Sequence, residues 1–272
     1  MTRRYRYRIV DVFTERQFEG NPLAVFPEAT GLDDATMQRI AREMNLSETV
    51  FIFPPARLKI FTPVREMPFA GHPTIGAAYV MGRSGRFEVE ENIGRVPIRV
   101  DDTATIWLTT PPIRDGRRFE RADCAAMLGL SVDDLLDIAP QILDAGNPTL
   151  LIPVRDKAAV DRARPPREIA EEACHFVFTP TPEGAYSRMF ASELGVMEDP
   201  ATGSSTGPLA LFMMRHGLAP SEDGARFVSE QGTKMGRRSF LHIAVHGPMG
   251  RDGIEIGGHA VDVSEATLML EL

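Results

Sequence analysis

The sequence has few cysteines, no long apolar run and no excess of basic residues. Its two cysteines, Cys124 and Cys174, are too few for a disulfide framework and lack metal-site spacing, which favours a reducing, cytoplasmic location. No apolar run reaches the roughly 18–20 residues that a helix needs to cross a bilayer. Acidic residues outnumber basic residues, 38 to 30, so the net charge is −8. A nucleic-acid or anionic-membrane partner requires a basic face, and we expect neither.

Nucleotide-binding and hydrolase motifs are missing as well. The sequence contains no GxGxxG, no Walker loop and no GxSxG. His242 and His246 share one face of a predicted strand, but no third metal ligand is evident. These absences favour chemistry on a small-molecule substrate with no cofactor and no metal.

The first third of the chain combines strand patterns with one helix pattern. The segment "LDDATMQRIAREMN" opens with the capping-type residues Asp33 and Asp34, and its apolar residues then recur at helical spacing. Short alternating or apolar runs surround this helix. We predict strands at 5–13, 23–26, 49–53, 58–61, 87–89, 96–100 and 105–109.

The second half repeats this scheme after a candidate linker. With 272 residues, 43% hydrophobic and 25% charged, the chain has the composition of a globular protein with one large domain or two moderate ones. The proline-, glycine- and charge-rich "TPPIRDGRR" (110–118) is the best linker candidate. Further on, the apolar helix "SSTGPLALFMMRHG" ends at the C-cap glycine Gly217. We predict short helices near 121–129, 157–163 and 167–173, and strands at 150–154, 176–179, 186–190, 226–230 and 240–246.

A faint internal repeat links the two halves. Aligning "AGHPTIGAAYVM" (70–81) with "TGSSTGPLALFM" (202–213) matches a glycine, a threonine, an alanine and a methionine. Each half therefore has one core helix whose first turn is polar and glycine-rich. We expect two similar α/β halves, each a curled sheet around a central helix, with both helix N-termini facing one cleft.

The first turns of these two helices are candidate sites for a small anion. A helix N-terminus presents unpaired N–H groups and a partial positive charge, which suit a carboxylate or phosphate. The turns lie at Gly71-His72 and Gly203-Ser204-Ser205, although the serines could simply cap a helix. The imidazole of His72 is a poor cap, and the positive helix end disfavours its protonation, which suits proton handling. A satisfied core or surface histidine is the alternative.

Two carboxylates are candidate acids or bases. Glu48, in "NLSETVFIF", lies at the mouth of an apolar strand, where desolvation would raise its pKa toward a useful range. Asp199, in "MEDPATGSSTG", lies just before the second glycine loop and could face the same cleft as His72, with Glu198 as its competitor. The alternatives are an exposed turn glutamate and an aspartate that fixes a turn.

These residues resemble the phenazine-biosynthesis PhzF-like isomerase family, which shares its two-lobed fold with the cofactor-independent diaminopimelate epimerases. The resemblance covers almost the whole chain through "VDVFTERQFEGNPLAVF", "MNLSETVFIF", "IFTPVREMPFAGHPTIGAAYV", "EDPATGSSTGPLA", "EQGTKMGRRS" and "IEIGGHAV". It implies an α/β (α+β) fold of two pseudo-symmetric lobes, each a barrel-like, mostly antiparallel sheet around a central helix. The lobes would comprise 1–113 with the C-terminal strand 265–272, and 114–264, in a homodimer.

The resemblance also implies the site and the reaction. The characterised family reaction isomerises a dihydro-hydroxyanthranilate by moving a hydrogen across a conjugated system. The catalytic positions fall on Glu48 of "LSET", His72 of "GHP" and Asp199 of "EDPATGS". The implied substrate-binding residues are Asn21 of "GNP", Gly71, Gly203, Ser204 and Ser205.

One departure from the epimerases narrows the hypotheses. Those enzymes use two cysteines, one per lobe, at the loops that open the central helices. Here the corresponding positions lie near Gly71 and Thr202, so we do not expect a two-thiol racemase. The sequence favours a cofactor-independent isomerase acting on a small carboxylated substrate. The alternatives are an epimerase, racemase or lyase that uses Glu48 in place of thiols, and a non-catalytic small-anion binding protein.

Overall fold

The computed structural model describes residues 2–166, 173–191 and 196–271 of the chain. The chain divides into two compact units, Met1–Leu108 with Gly257–Leu272, and Thr109–Ile256. We call these unit 1 and unit 2 and describe each by itself. Within the described residues, no helix has both the length and the apolar character needed to cross a bilayer.

Unit 1 contains nine strands and two helices within the described residues. The C-terminal strand β18 pairs antiparallel with β1, the first strand of the chain. The elements are β1 (Thr2–Val12), β2 (Asn21–Phe26), α1 (Asp34–Met44), β3 (Glu48–Phe53), β4 (Arg57–Phe61), β5 (Glu66–Met67), α2 (Gly71–Met81), β6 (Gly85–Glu91), β7 (Gly94–Val100), β8 (Ile106–Thr109) and β18 (Ala260–Glu271).

Helix α2 is the central helix of unit 1. Its residues from Gly71 to Ala78 are all buried, as expected for a helix that is apolar on every side. Five strands, β1 to β4 and β18, contact it. The contact is close at Gly76, where a Cβ would lie only 2.3 Å from the side chain of Leu23 on β2. The sheet therefore wraps around α2.

Helix α1 covers the opposite face of the same strands. As the sequence predicts, Asp33 caps this helix, and its side chain accepts a hydrogen bond of 2.7 Å from the backbone N–H of Thr36. Asn45 ends the helix in the left-handed conformation. Side chains alternate across a strand, so Leu23 faces α2 while Phe26 packs with Met37 of α1.

Unit 2 contains nine strands and three helices within the described residues. Its central helix is α5, which contacts β10, β11 and β16. The elements are β9 (Arg114–Arg118), α3 (Arg121–Leu128), β10 (Gln141–Asp144), β11 (Pro148–Pro153), α4 (Lys157–Arg162), β12 (Cys174–Thr181), β13 (Gly184–Ala191), β14 (Val196–Asp199), α5 (Gly203–Arg215), β15 (Arg226–Gln231), β16 (Ser239–His246) and β17 (Gly253–Gly258).

The order of strand pairing in unit 1 is repeated in unit 2. In unit 1, β1 and β2 are antiparallel, α1 leads to the parallel pair β2–β3, and α2 leads to the parallel pair β4–β6. In unit 2, β10 and β11 are antiparallel, α4 leads to the parallel pair β11–β12, and α5 leads to the parallel pair β13–β15. The predicted fold class, with a sheet around a central helix in each half, is confirmed.

One segment differs from its sequence prediction. Residues Arg114–Arg118, predicted as linker, form the strand β9, paired antiparallel with β10. All five are exposed, because backbone hydrogen bonds rather than side-chain burial hold this strand. The helices predicted near 121–129 and 157–163 are present as α3 and α4. The helix predicted near 167–173 falls almost entirely outside the described residues.

Candidate active-site residues

In unit 1, strand pairing directs Asn21 and Glu48 toward the central helix. Asn21 begins β2 and Glu48 begins β3, and these strands run parallel with Leu23 opposite Glu48. Paired residues of neighbouring strands face the same side of a sheet, and residues two apart on one strand share a face. Because Leu23 lies against α2 at Gly76, Asn21 and Glu48 face α2 as well.

The predicted acid and imidazole of unit 1 lie together. His72 is the second residue of α2, and its Nδ1 lies 3.0 Å from Oε2 of Glu48. The side chains are 3% and 14% exposed, respectively. The two atoms are at ion-pair distance without the alignment of a hydrogen bond. Nε2 of His72 is buried and has no hydrogen-bond partner in the described part of the chain, so it can form a hydrogen bond with a ligand.

The first turn of α2 is an open helix N-terminus. The N-cap residue is Ala70, which supplies no side-chain cap. The helix begins at Gly71, in the predicted first turn, and Pro73 follows within that turn, where its missing N–H costs nothing. The remaining N–H groups and the positive helix end favour an anion beside the Glu48–His72 pair.

In unit 2, Asp199 ends β14 just before the central helix. Its side chain is almost fully buried, and Oδ2 accepts a hydrogen bond of 2.5 Å from the hydroxyl of Thr202. Thr202 is the N-cap residue of α5, and its side chain does not cap the helix. The competing carboxylate, Glu198, instead forms a two-point ion pair with Arg188, at 2.7 and 2.8 Å. Asp199 is therefore the better candidate.

The predicted binding residues of unit 2 occupy the first turn of α5. Gly203, Ser204 and Ser205 are its first three residues, and all are buried. Asn147 donates a hydrogen bond of 3.4 Å to the hydroxyl of Ser204. The hydroxyl of Ser205 lies 2.8 Å from that of Thr149 on β11. The Ser205 hydroxyl thus joins the helix to the sheet, while the backbone of this turn forms the second open N-terminus.

Neither thiol lies at the start of a central helix. Cys124 lies within α3, where burial raises the pKa of its thiol to about 12. Cys174 begins β12 and is buried beside the side chain of Asn147. The helix starts are occupied by Ala70 and Thr202 at the N-caps. Thiolate chemistry at these positions has no support in the structure.

Sequence reasoning missed two buried polar residues next to the candidate site, Glu91 and Gln231. Burial raises the pKa of Glu91 to about 8, against opposing hydrogen bonds from the Thr74 side chain and the Ala70 backbone. Gln231 is fully buried and contacts the Asp199 segment. Period-two alternation was the available signal, because both residues share the inward face of their strands with apolar or small residues.

Comparison with known proteins places the chain in a family. Residues 10–266 match the family described as phenazine biosynthesis-like protein. The trans-2,3-dihydro-3-hydroxyanthranilate isomerase of Pseudomonas aeruginosa is 33% identical, with 98% of this chain and all of that protein covered. The protein of the same name from Pseudomonas chlororaphis is 34% identical over the same shares.

Solved structures agree with this assignment. A predicted epimerase from Pseudomonas aeruginosa is 32% identical with a TM-score of 0.82, covering 97% of this chain and 99% of that one. A PhzF-family protein from Bacillus anthracis has a TM-score of 0.85 at 24% identity, covering 98% and 100%, and so shares the fold. The named relatives identify the chain as an isomerase, and its fold is that of the PhzF structures. The chain belongs to the phenazine biosynthesis-like (PhzF) family, as the motifs predict.

Proposed function

We propose that this isomerase moves a proton within a small carboxylated substrate of the dihydro-hydroxyanthranilate type, without a cofactor. The observation that carries the proposal is the buried Glu48–His72 pair beside the open N-terminus of α2. It occurs in a chain that is 33% identical, over nearly its full length, to an isomerase named for such a substrate. A carboxylate is the usual partner of a helix N-terminus.

In the proposed reaction, Glu48 acts first as base and then as acid. Its carboxylate takes a proton from the ring carbon that bears the hydroxyl group, and the electron pair left behind shifts into the conjugated ring system. The same carboxyl then returns a proton to another ring carbon. The net change is a proton moved and double bonds rearranged, so the reaction requires no electron acceptor.

The other predicted residues have binding roles in this proposal. His72 orients Glu48 through Nδ1 and presents Nε2 to the substrate. Asp199 and His72 bind the amino and hydroxyl groups, and Asn21 contributes a further polar contact. The substrate carboxylate is held at the helix starts by the backbone and side chains of Gly71, Gly203, Ser204 and Ser205.

An epimerase reaction is the second candidate. The 32% identical structure from Pseudomonas aeruginosa, described as a predicted epimerase, favours it. In that reaction Glu48 would take the proton, and a second acid would return one to the same carbon on the opposite face. A two-thiol version is disfavoured by the positions of both cysteines, and Glu48 would have to replace the thiols.

Incubation with trans-2,3-dihydro-3-hydroxyanthranilate in deuterated water, followed by NMR, tests the proposal. We expect a rearranged ring with one deuterium, and Glu48→Gln should lower the rate by about 10²- to 10⁴-fold. The exposed Glu28→Gln is the matched control and should retain the wild-type rate. Inversion at one carbon without rearrangement would favour the epimerase. Full activity of Glu48→Gln would refute the role of Glu48.

A further inference from the structure

The strand that follows each central helix ends in a buried polar residue. In unit 1 this strand is β6, which ends at Glu91, and in unit 2 it is β15, which ends at Gln231. Both strands occupy the same place in the pairing order, since β6 runs parallel to β4 and β15 runs parallel to β13. Glu91 is 5% exposed and Gln231 is fully buried. Glu91 and Gln231 are thus equivalent positions of the repeat.

Glu91 contacts the first turn of α2 on both sides of His72. Its Oε1 accepts a hydrogen bond from the hydroxyl of Thr74, and its carboxyl also interacts with the backbone N–H of Ala70. The Thr74 hydroxyl in turn lies 2.7 Å from the carbonyl oxygen of Ala70. Ala70 is the N-cap residue, so these contacts define where the helix begins and how the turn carrying His72 is oriented.

Gln231 makes the corresponding contacts at the start of α5. Its Oε1 accepts a hydrogen bond of 3.1 Å from the backbone N–H of Thr202, the N-cap residue. Its Nε2 donates to the carbonyl oxygen of Asp199 at 2.7 Å and to the hydroxyl of Thr202 at 3.0 Å. The Thr202 hydroxyl then donates to the carboxylate of Asp199. One buried amide thus holds both the backbone and, through one hydroxyl, the side chain of Asp199.

The backbone just after Gln231 passes close to the backbone of Pro200. Gly232, directly after Gln231, has a φ of +75°, and a Cβ there would lie 2.6 Å from the carbonyl oxygen of Pro200. The repeat extends to the threonines, because the hydroxyl of Thr206 lies 2.8 Å from the Thr202 carbonyl oxygen and that of Thr74 lies 2.7 Å from the Ala70 carbonyl oxygen. At the strand end the units differ, with a carboxyl group at Glu91 and an amide at Gln231.

We propose that Glu91 and Gln231 are positioning residues for the isomerase reaction, each orienting a reactive group through the first turn of its central helix. Glu91 orients His72, and Gln231 orients Asp199. This inference rests on the proposed function only in that His72 and Asp199 are the groups assigned to the reaction. Neither positioning residue is required to touch the substrate.

The two positions differ in the substitutions that they should tolerate. Gln231 uses its amide as donor and acceptor, so Gln231→Glu removes the donors for Asp199 and Thr202. Glu91 accepts a hydrogen bond at Oε1, and its Oε2 has no hydrogen-bond partner in the described part of the chain. Glu91→Gln keeps the accepting oxygen for Thr74. We therefore expect Gln231→Glu to be harmful and Glu91→Gln to be tolerated.

Steady-state kinetics with the dihydro-hydroxyanthranilate tests this asymmetry. Gln231→Glu should lower kcat by about 10- to 100-fold, with a much smaller change in KM, because a small misplacement of a reactive group is costly. Glu91→Met should lower kcat similarly, and Glu91→Gln should restore it. The matched control is Gln141→Glu, a buried glutamine of unit 2 whose amide donates to the Gly116 carbonyl.

A second variant keeps the test decisive if Gln231→Glu does not fold. Thr202→Val removes only the hydroxyl that joins Gln231 to the Asp199 carboxylate, and it should lower kcat in the same way. Wild-type kcat in both Thr202→Val and folded Gln231→Glu would overturn the inference for unit 2. Wild-type kcat in Glu91→Met would overturn it for unit 1.

A separate readout distinguishes this inference from the proposed function. If the wild-type protein does not convert the substrate, the proposed function fails, and hydrogen–deuterium exchange of residues 70–76 and 202–206 decides the positioning roles. Faster exchange there in Glu91→Met and Gln231→Glu, but not in Gln141→Glu, supports the inference. Unchanged exchange in those segments overturns it.

Discussion

Replacing Glu91 by glutamine should remove a pH dependence from the stability of the protein. Burial raises the pKa of this carboxyl from its ordinary 4.5 to about 8 in the folded chain. The folded state therefore binds a proton more tightly than the unfolded state does. The stability that the protein gains from binding this proton at Glu91 is fully present below about pH 4.5 and is lost as the pH rises toward about 8. Glutamine resembles the protonated acid and cannot ionise.

The size of this effect follows from the two pKa values. Between them, the free energy of unfolding of the wild type should fall by about 1.4 kcal/mol per pH unit relative to Glu91→Gln. The interval from 4.5 to about 8 spans 3.5 pH units, which amounts to about 5 kcal/mol. That is a large share of the stability of a typical domain, which is about 5–15 kcal/mol.

Urea unfolding at pH 5, 6, 7 and 8 measures this difference. The comparison is between the wild type and Glu91→Gln, because the titration of all other groups cancels in the difference. Glu90→Gln, at the exposed neighbouring position of β6, is the control. A difference between wild type and Glu91→Gln that stays constant from pH 5 to pH 8 would refute a raised pKa for Glu91.

Two further predictions concern the steric need for glycine at position 232 and the role of the two thiols. Gly232→Ala should lower stability by about 1–3 kcal/mol through backbone strain, and more than Gly236→Ala, as measured by thermal unfolding. Both glycines have a positive φ, but only the Cβ at Gly232 meets the Pro200 backbone, so equal losses would contradict the steric argument. Cys124→Ala and Cys174→Ala should each retain deuterium exchange into the substrate. Loss of exchange in a folded variant would implicate a thiol in the reaction.

Local signals in the sequence were sufficient for most elements of the fold. The capping position of Asp33 and the helical spacing after it predict α1 to within one residue of its start. The charge-free run after Pro73 predicts the buried helix α2. Strand predictions succeed where alternation or an apolar run marks a strand, as in β1 and β3. These signals come from residues close together in the sequence. They predict features that such residues determine, namely helix caps and the face on which a side chain lies.

Charge misled the sequence reasoning at two places. The exposed strand β9 reads as a linker, because none of its side chains is buried and only its pairing with β10 defines it. The strand predicted at 87–89 stops before Glu91, and the segment "FEVEE" of β6 contains three glutamates. Only the alternation of exposed Glu88 and Glu90 with buried Val89 and Glu91 shows that the last carboxyl points inward.

The contact between Glu48 and His72 depends on tertiary structure. The two residues are 24 positions apart, and their approach requires the parallel pairing of β2 and β3 and the packing of α2 on the same face. Local sequence does not encode this register. The resemblance to a family supplied the pair of residues, whereas the structure supplied the 3.0 Å distance between them.

The equivalent residues Glu91 and Gln231 share one electrostatic property. With a pKa of about 8, Glu91 is mainly uncharged at pH 7, and Gln231 is uncharged at any pH. An ionised carboxylate at the start of α2 would compensate the positive end of the helix and compete with an anionic ligand. Since each unit supports its central helix with a neutral polar group, the partial positive charge at each helix start is not compensated and can stabilise an anion. Above about pH 8, ionisation of Glu91 should weaken substrate binding in the wild type but not in Glu91→Gln.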